Sequence, residues 1–392
     1  MGEVGFEFQG RVPVSKSLMN RALIAQSYFP DLKIHGEAKS DDVNHLRKAL
    51  EHFPSARDYD CGDGGTTLRF LTARLSRANG TFQLKGSRRL FERPHHPLWE
   101  VLQTLGVSVH QDSDSSLTVS GGDWQGVDSL SMSLDQGSQF LSAILLNAWG
   151  LDFDLKIDLA TESRHSLGYL MMTIDFLRDL GMDVLWDGEK LEVPKGQKLK
   201  KESVDVEPDM SSLFSLCACA AVNGRVQIQG IPDHSLQPDF VFFDLFEKMG
   251  IVLSKSAGCL TIEKSAQWKP VDIDLSNSPD LFPVLSVLLA RAHGRSSLRG
   301  LELLKYKESN RLQKTKELLQ KVGVVCEDEN HVFVIHGKAN WQSGISFDFD
   351  SDHDHRMAMA AGVAQLNGAS LRLLNTSVVS KSFPDFWEII GL

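Results

Sequence analysis

Basic and hydroxyl-bearing residues gather where helices would begin. Such segments are SKSLMNR from Ser15, GDGGTTLR from Gly62, QGSQF from Gln136, EPDMSS from Glu207, SPD from Ser278 and DHDHR from Asp352. RRLFERP from Arg88, SRHSLGY from Ser163, KYKESNR from Lys305 and SKSFPDF from Ser380 follow the same pattern. A helix N-terminus offers unpaired N–H groups and the positive end of a dipole. A single Ser, Thr or Asp there reads as a cap. A Lys or Arg opposes the dipole unless an anion accompanies it. Many such starts along one chain point to anion binding, with arginines able to hold carboxylate or phosphate oxygens in pairs and lysines serving as point charges.

The elements that must position these segments recur. One phrase is an amphipathic helix, a glycine, then two short strands. It occurs as LWEVLQTLGVSVHQDSDSSLTVSG, IDFLRDLGMDVLWDGEKLEV, FFDLFEKMGIVLSKSAGCLTIEK and TKELLQKVGVVCEDENHVFVIHG, with Gly106, Gly181, Gly250 and Gly323 at the pivot. Glycine after the last helical turn is the expected C-cap, and the apolar alternation beyond it marks strands. A second phrase interleaves with the first: a helix rich in small residues, a glycine (Gly80, Gly150, Gly224, Gly294, Gly368), then a strand. These glycines lie roughly 70 residues apart, the period of a supersecondary unit. VSKSLMNRALIAQSYFPDLKIHG supplies a sixth, earlier copy. The spacing predicts two domains of three units each, with small-residue helices inside and charged ones outside. The first unit is too short after Leu50 for a full hairpin, and the last ends at Leu392 without one. Interdomain crossings are expected near Val14 and Pro208. One domain then spans 14–208, and a discontinuous one comprises 1–13 plus 209–392.

Composition narrows the class. The chain has 392 residues, 42% hydrophobic and 23% charged, ordinary for a globular protein and too long for one core. Net charge is −10, which argues against nucleic acid as a partner and requires a local basic site for any anionic substrate. No apolar run of about 18 residues suggests a membrane span, and the N-terminus lacks the pattern of a secretory signal. The five cysteines form no CxxC pair, so neither a disulfide framework nor a zinc site is expected. Cys217 and Cys219 read as core thiols in a buried helix. A reducing cytoplasm fits.

SKSLMNRALI, GDGGTTLRFLTA, FERPHHPL, GSQFLSAIL, KYKESNRL, DHDHRMAMA and SKSFPDFWE, taken in this order, resemble the 5-enolpyruvylshikimate-3-phosphate synthase family over essentially the whole chain. The resemblance implies a two-domain inside-out α/β barrel, the enolpyruvyl transferase fold, in which each domain holds three βαβαββ-type units, with a cleft between the domains. Because cations assigned from both halves would repel across it until an anion binds, domain closure on the substrates is expected. It implies transfer of enolpyruvate from phosphoenolpyruvate to the 5-hydroxyl of shikimate 3-phosphate, releasing phosphate. No metal and no organic cofactor is expected, and a monomer is. By position, the family's phosphoenolpyruvate contacts fall on Lys16, Gly65, Thr66, Arg93, Gln139, Arg311, Arg356 and Lys381. Its shikimate 3-phosphate contacts fall on Lys16, Ser17, Arg21, Gly137, Ser138, Gln139, Ser166, Asp280 and Lys307.

The resemblance also implies the catalytic groups Lys16, Asp280 and Glu308. Asp280 would be the partner of the attacking hydroxyl, and Glu308 with Lys16 would handle the proton at the methylene carbon. Without it, Asp280 reads as an N-cap and Glu308 as an i,i+3 partner of Arg311. Asp352, His353, Asp354 and His355 invite a metal reading, against which stands the lack of a second ligand cluster. The chain departs from the family at Asp63 (usually Asn), Gly137 (Ser), Leu303 (Asn) and Phe70 (Pro), which bears on affinity more than on reaction class. A sister family that transfers enolpyruvate to UDP-N-acetylglucosamine carries a reactive Cys near the place of FERPHHP; no Cys lies between Cys61 and Cys217 here. A non-catalytic anion-binding relative is the other alternative.

Overall fold

In the computed structural model, residues 5–160, 166–338, 341 and 346–392 are described. The chain separates into two units, Val14–Val206 and Met1–Pro13 with Glu207–Leu392.

In the Val14–Val206 unit, the helices Lys16–Tyr28, Gly65–Leu75 and Gln139–Leu146 pack on one another. They are buried along most of their length because Ala, Ser, Thr and Leu replace the charged face of a surface helix. Strand order Asp58–Asp60, Gly80–Lys85, Ser116–Gly121, Ser108–Gln111 makes one four-stranded sheet, and Leu130–Ser133, Leu155–Ala160, Lys190–Val193, Leu185–Trp186 makes another. In both, the first pair is parallel and the rest antiparallel. Parallel strands need a crossover, and the inner helix supplies it. An outer helix then precedes the antiparallel hairpin, giving the βαβαββ order. The third sheet is only Lys33–His35 beside Ser203–Asp205, since the segment after Glu51 leads directly into Asp58–Asp60.

The other unit repeats the plan. Its inner helices are Met210–Asn223, Phe282–Leu289 and His355–Leu366. Its four-stranded sheets run Phe6–Gly10, Gly224–Gln229, Cys259–Glu263, Leu253–Ser256 and Asp272–Asp274, Gly294–Arg299, Val332–Gly337, Val325–Glu329. Phe347–Phe349 pairs with Leu371–Leu373 alone. Phe6–Gly10 reaches this unit by parallel pairing in the register Phe6↔Gly224, and the Asp209 amide donates to the Pro13 carbonyl at 2.8 Å. Helices lie inside and sheets outside in each unit.

Gly106, Gly181, Gly250 and Gly323 all have positive φ, from 74° to 98°, as a left-handed C-cap demands. Gly224 differs: its φ is −174°. A Cβ there would lie 2.5 Å from the Phe6 ring, so its glycine serves close strand approach rather than a turn. Cys61, Cys217, Cys219 and Cys326 are buried free thiols; burial pushes Cys217 and Cys219 up from the usual thiol value. No described helix is long and apolar enough to cross a membrane.

Candidate functional site

The candidate residues form one linked network in the unit that contains Asp280 and several separate groups in the other. In the unit that contains Asp280, the centre is Arg311, at the start of the Arg311–Lys321 helix, with 1% of its side chain exposed. Its Nε donates to Asp354 Oδ2 at 2.8 Å, Nη1 to Asp280 Oδ1 at 2.8 Å and Nη2 to Glu308 Oε2 at 2.8 Å. Lys307 reaches Asp280 Oδ1 at 3.2 Å, Lys381 lies 3.5 Å from Glu308 Oε1, and Arg356 Nη2 lies 3.7 Å from Asp280 Oδ2. Asp280, Lys307, Glu308, Arg311, Arg356 and Lys381 thus share one network.

Burial alone would raise the Asp280 carboxyl, but Lys307, Arg311 and Arg356 outweigh it and hold it well below the usual range. Burial would lower Arg311; Asp354, Asp280 and Glu308 outweigh it and hold it well above. Asp280 is no cap: Ser278 holds the N-cap position and its side chain accepts no capping bond. The i,i+3 pair between Glu308 and Arg311 is present. Asp354 is fully buried and caps the His355–Leu366 helix through the Arg356 amide at 2.9 Å. It also accepts from Ser309 Oγ at 3.0 Å. Its oxygens are therefore occupied by donors, not arranged for a metal, and among the described residues no group of acidic, His or Cys side chains could hold one.

Arg356 is oriented from below. Its Nη2 donates to Ser211 Oγ, which donates to Asp209 Oδ1 at 2.7 Å. Asp209 in turn caps the Met210–Asn223 helix at the Ser212 amide, 2.8 Å away. Two buried donors of Arg356, Nε and Nη1, have no partner among the described residues. A buried unpaired donor on a cation is costly, and an anion would satisfy it.

In the other unit, Lys16 opens its helix and pairs with Asp42 at 2.8 Å. The Asp42 carbonyl accepts from Thr67 Oγ1 at 2.9 Å, which ties Lys16 to the glycine loop before the Gly65–Leu75 helix. Thr66 is half-buried on that first turn. Gly65 lets the Arg93 guanidinium approach the loop: a Cβ there would lie 2.6 Å from Arg93 Nη1 and would displace it. Arg69, from the same helix, donates to Gln139 Oε1 and, at 2.9 Å, to the Pro94 carbonyl.

Arg21 is buried among neutral acceptors: Nε and Nη2 donate to Thr173 Oγ1 at 2.9 and 2.8 Å, and Nη1 donates to the Ser17 carbonyl at 2.7 Å. Burial pushes it down to about 9. The Phe70 ring lies 5.4 Å beneath it, so this departure supplies an aromatic face to a cation. Ser138 and Ser166 sit at N-caps without using their hydroxyls as caps. Ser166 adopts a left-handed conformation with φ 60°. Gly137 has φ 109°, and a Cβ there would meet nothing within 4 Å; backbone conformation rather than space selects glycine. Ser163 to His165 of the SRHSLGY segment lie outside the described residues.

Several contributors were not assigned from sequence. Arg69 stood unused within GDGGTTLR, and Asp354 was weighed only as a metal ligand. Asp42 carried no signal beyond a helix start, and Thr173 none. Their roles come from partners far along the chain.

The family model for EPSP synthase (3-phosphoshikimate 1-carboxyvinyltransferase) matches residues 25–390. The chain is 34% identical to a 3-phosphoshikimate 1-carboxyvinyltransferase of Methanoculleus marisnigri, covering 96% of this chain and 94% of that one. It is 31% identical to the protein of that name from Syntrophobacter fumaroxidans, covering 98% and 96%. An EPSP synthase structure from Acinetobacter baumannii superposes with a TM-score of 0.77 at 22% identity, over 100% of this chain and 96% of that one. The enolpyruvyl transferase NikO from Streptomyces tendae gives 0.73 at 17%, over 100% and 95%. At these identities the structural likeness speaks for the fold.

Proposed function

Because this chain belongs to the EPSP synthase (3-phosphoshikimate 1-carboxyvinyltransferase) family, we infer that it transfers the enolpyruvyl group of phosphoenolpyruvate to the 5-hydroxyl of shikimate 3-phosphate. The observation that carries the assignment of residues is the surplus of buried cationic donors. Arg356 keeps two buried N–H groups without partners among the described residues, and Arg21 rests on neutral acceptors. Both are built to receive an anion. Phosphoenolpyruvate is assigned to Lys16, Gly65, Thr66, Arg93, Gln139, Arg311, Arg356 and Lys381. Shikimate 3-phosphate is assigned to Lys16, Ser17, Arg21, Gly137, Ser138, Gln139, Ser166, Asp280 and Lys307.

The chemistry is addition then elimination. The hydroxyl oxygen bonds to C2 of phosphoenolpyruvate, its proton passes to Asp280, and the methylene carbon gains a proton from Lys16 or Glu308. The tetrahedral intermediate then loses a proton from that carbon and breaks the C2–O bond to phosphate. Positioned acid–base groups accelerate such steps by about 10²–10⁴-fold. Asp280 is a weak base while three cations hold it; substrate anions that engage Lys307, Arg311 and Arg356 would strengthen it. A monomer and a reducing cytoplasm complete the reading; the buried free thiols support the reducing environment. The test is phosphate release. It should require both substrates and should not occur with UDP-N-acetylglucosamine in place of shikimate 3-phosphate. Release with the sugar nucleotide would favour the sister reaction, and none with either acceptor would favour a non-catalytic anion binder.

A further inference from the structure

Arg69 is a cation buried at 5% exposure with no assigned contact to either substrate. Its guanidinium stacks over the Phe140 ring at 4.9 Å. It donates to Gln139 Oε1 and to the Pro94 carbonyl, the latter next to Arg93. An amide has one acceptor atom and one donor atom. With Oε1 turned to Arg69, Gln139 offers Nε2 to a ligand. The opposite rotamer would set Nε2–H₂ against the guanidinium and present an oxygen to an anion.

The surroundings keep this arrangement in place at working pH. His95 lies beside Arg69 and Arg93; burial first, then Arg69, lower it to about 2, so it adds no charge. Its Nε2 donates to the Leu90 carbonyl at 2.7 Å, and its ring stacks on Trp99.

We propose that Arg69 is a positioning residue that fixes the Gln139 amide with its nitrogen available to phosphoenolpyruvate, and so sets selectivity for an anion at that point. This rests on the assignment of Gln139 to phosphoenolpyruvate. A guanidinium that served only packing would not distinguish the two ends of the amide.

Gln139→Glu separates the roles. The carboxylate still accepts from Arg69, now as a charge-assisted pair, so Tm should equal or exceed that of the wild type. It presents oxygen where the amide presented nitrogen, so KM for phosphoenolpyruvate should rise by about tenfold or more. An unchanged KM would overturn the proposal. Arg69→Met should raise the same KM strongly in the wild-type background and lose most of that effect in Gln139→Ala, because the residue it orients is gone. Arg69→Lys, which keeps charge but not the fork, should fall between. Effects of Arg69→Met and Gln139→Ala that multiply would also overturn it, and the Gln139→Glu comparison stands if Arg69→Met does not fold. Wild-type protein that releases no phosphate with both substrates would instead defeat the functional reading.

Discussion

A buried ionic network is stable only while its members are matched. Asp354 is fully buried and binds Arg311, Ser309 and the Arg356 amide, so Arg311 can be held between three carboxylates without leaving one unpaired. Asp280 is the most exposed of those three carboxylates, at 21%, and is the one assigned to shikimate 3-phosphate. Its lowered carboxyl makes a pH prediction. An ionised group depressed on folding contributes stability that is complete above its unfolded value of about 3.9 and is lost as pH falls through the folded value. The stability gap between wild type and Asp280→Asn should therefore narrow as unfolding is measured from pH 6 down to pH 3. A constant gap would exclude the pairing as its source. At the same scale, Lys16→Met, Arg93→Ala and Lys381→Ala each remove a charge-assisted contact worth about 1.5–3 kcal/mol. Titrations should show phosphoenolpyruvate weakened far more than shikimate 3-phosphate; equal weakening would contradict the assignment. Glu308→Gln keeps shape and loses the ionisable group, so turnover should collapse while shikimate 3-phosphate affinity changes little. Near-normal turnover would take Glu308 out of the chemistry.

Helix starts do two jobs, and the caps show which. Ser15, Asp209, Asn310 and Asp354 accept from their own helices, the ordinary structural use. Ser138 and Ser166 do not, and we propose that their hydroxyls serve shikimate 3-phosphate instead. Ser166 also carries a left-handed backbone, a conformation costing a non-glycine residue about 1–2 kcal/mol. Ser166→Gly relieves that strain and deletes the hydroxyl. It should raise Tm yet weaken shikimate 3-phosphate, as thermal unfolding and calorimetric titration would report. A drop in both would mean that the hydroxyl is structural.

Across the whole molecule, the assigned residues are divided between the two contact-defined units: Lys16, Arg21, Arg93, Gln139 and Ser166 in one, Asp280, Lys307, Glu308, Arg311, Arg356 and Lys381 in the other. We propose that these units are the folding domains. A ligand with differential affinity for a closed state shifts the population toward it. Shikimate 3-phosphate, assigned residues of both, is expected to lower the radius of gyration in small-angle scattering, and phosphoenolpyruvate alone to lower it little. An unchanged radius with both ligands saturating would rule closure out.

The amino-acid sequence by itself determined the repeated units, the pivot glycines, the inner and outer helices, and the basic and hydroxyl-bearing character of the helix starts. All of these depend on residues a few positions apart: caps, periodicity and positive φ act locally. Only the tertiary structure decided the partners. Lys16 meets Asp42 across 26 residues, Arg69 meets Gln139 across 70, and Arg356 meets Ser211 across 145. Two sheets likewise take strands from afar: Phe6–Gly10 beside Gly224–Gln229 in a four-stranded sheet, and Lys33–His35 beside Ser203–Asp205 in a two-stranded one. Such contacts depend on how separate backbones stack, and side-chain reach of a few ångströms leaves no periodic mark along the chain. That is why Arg69, already visible in its motif, acquired a role only once Gln139 was beside it.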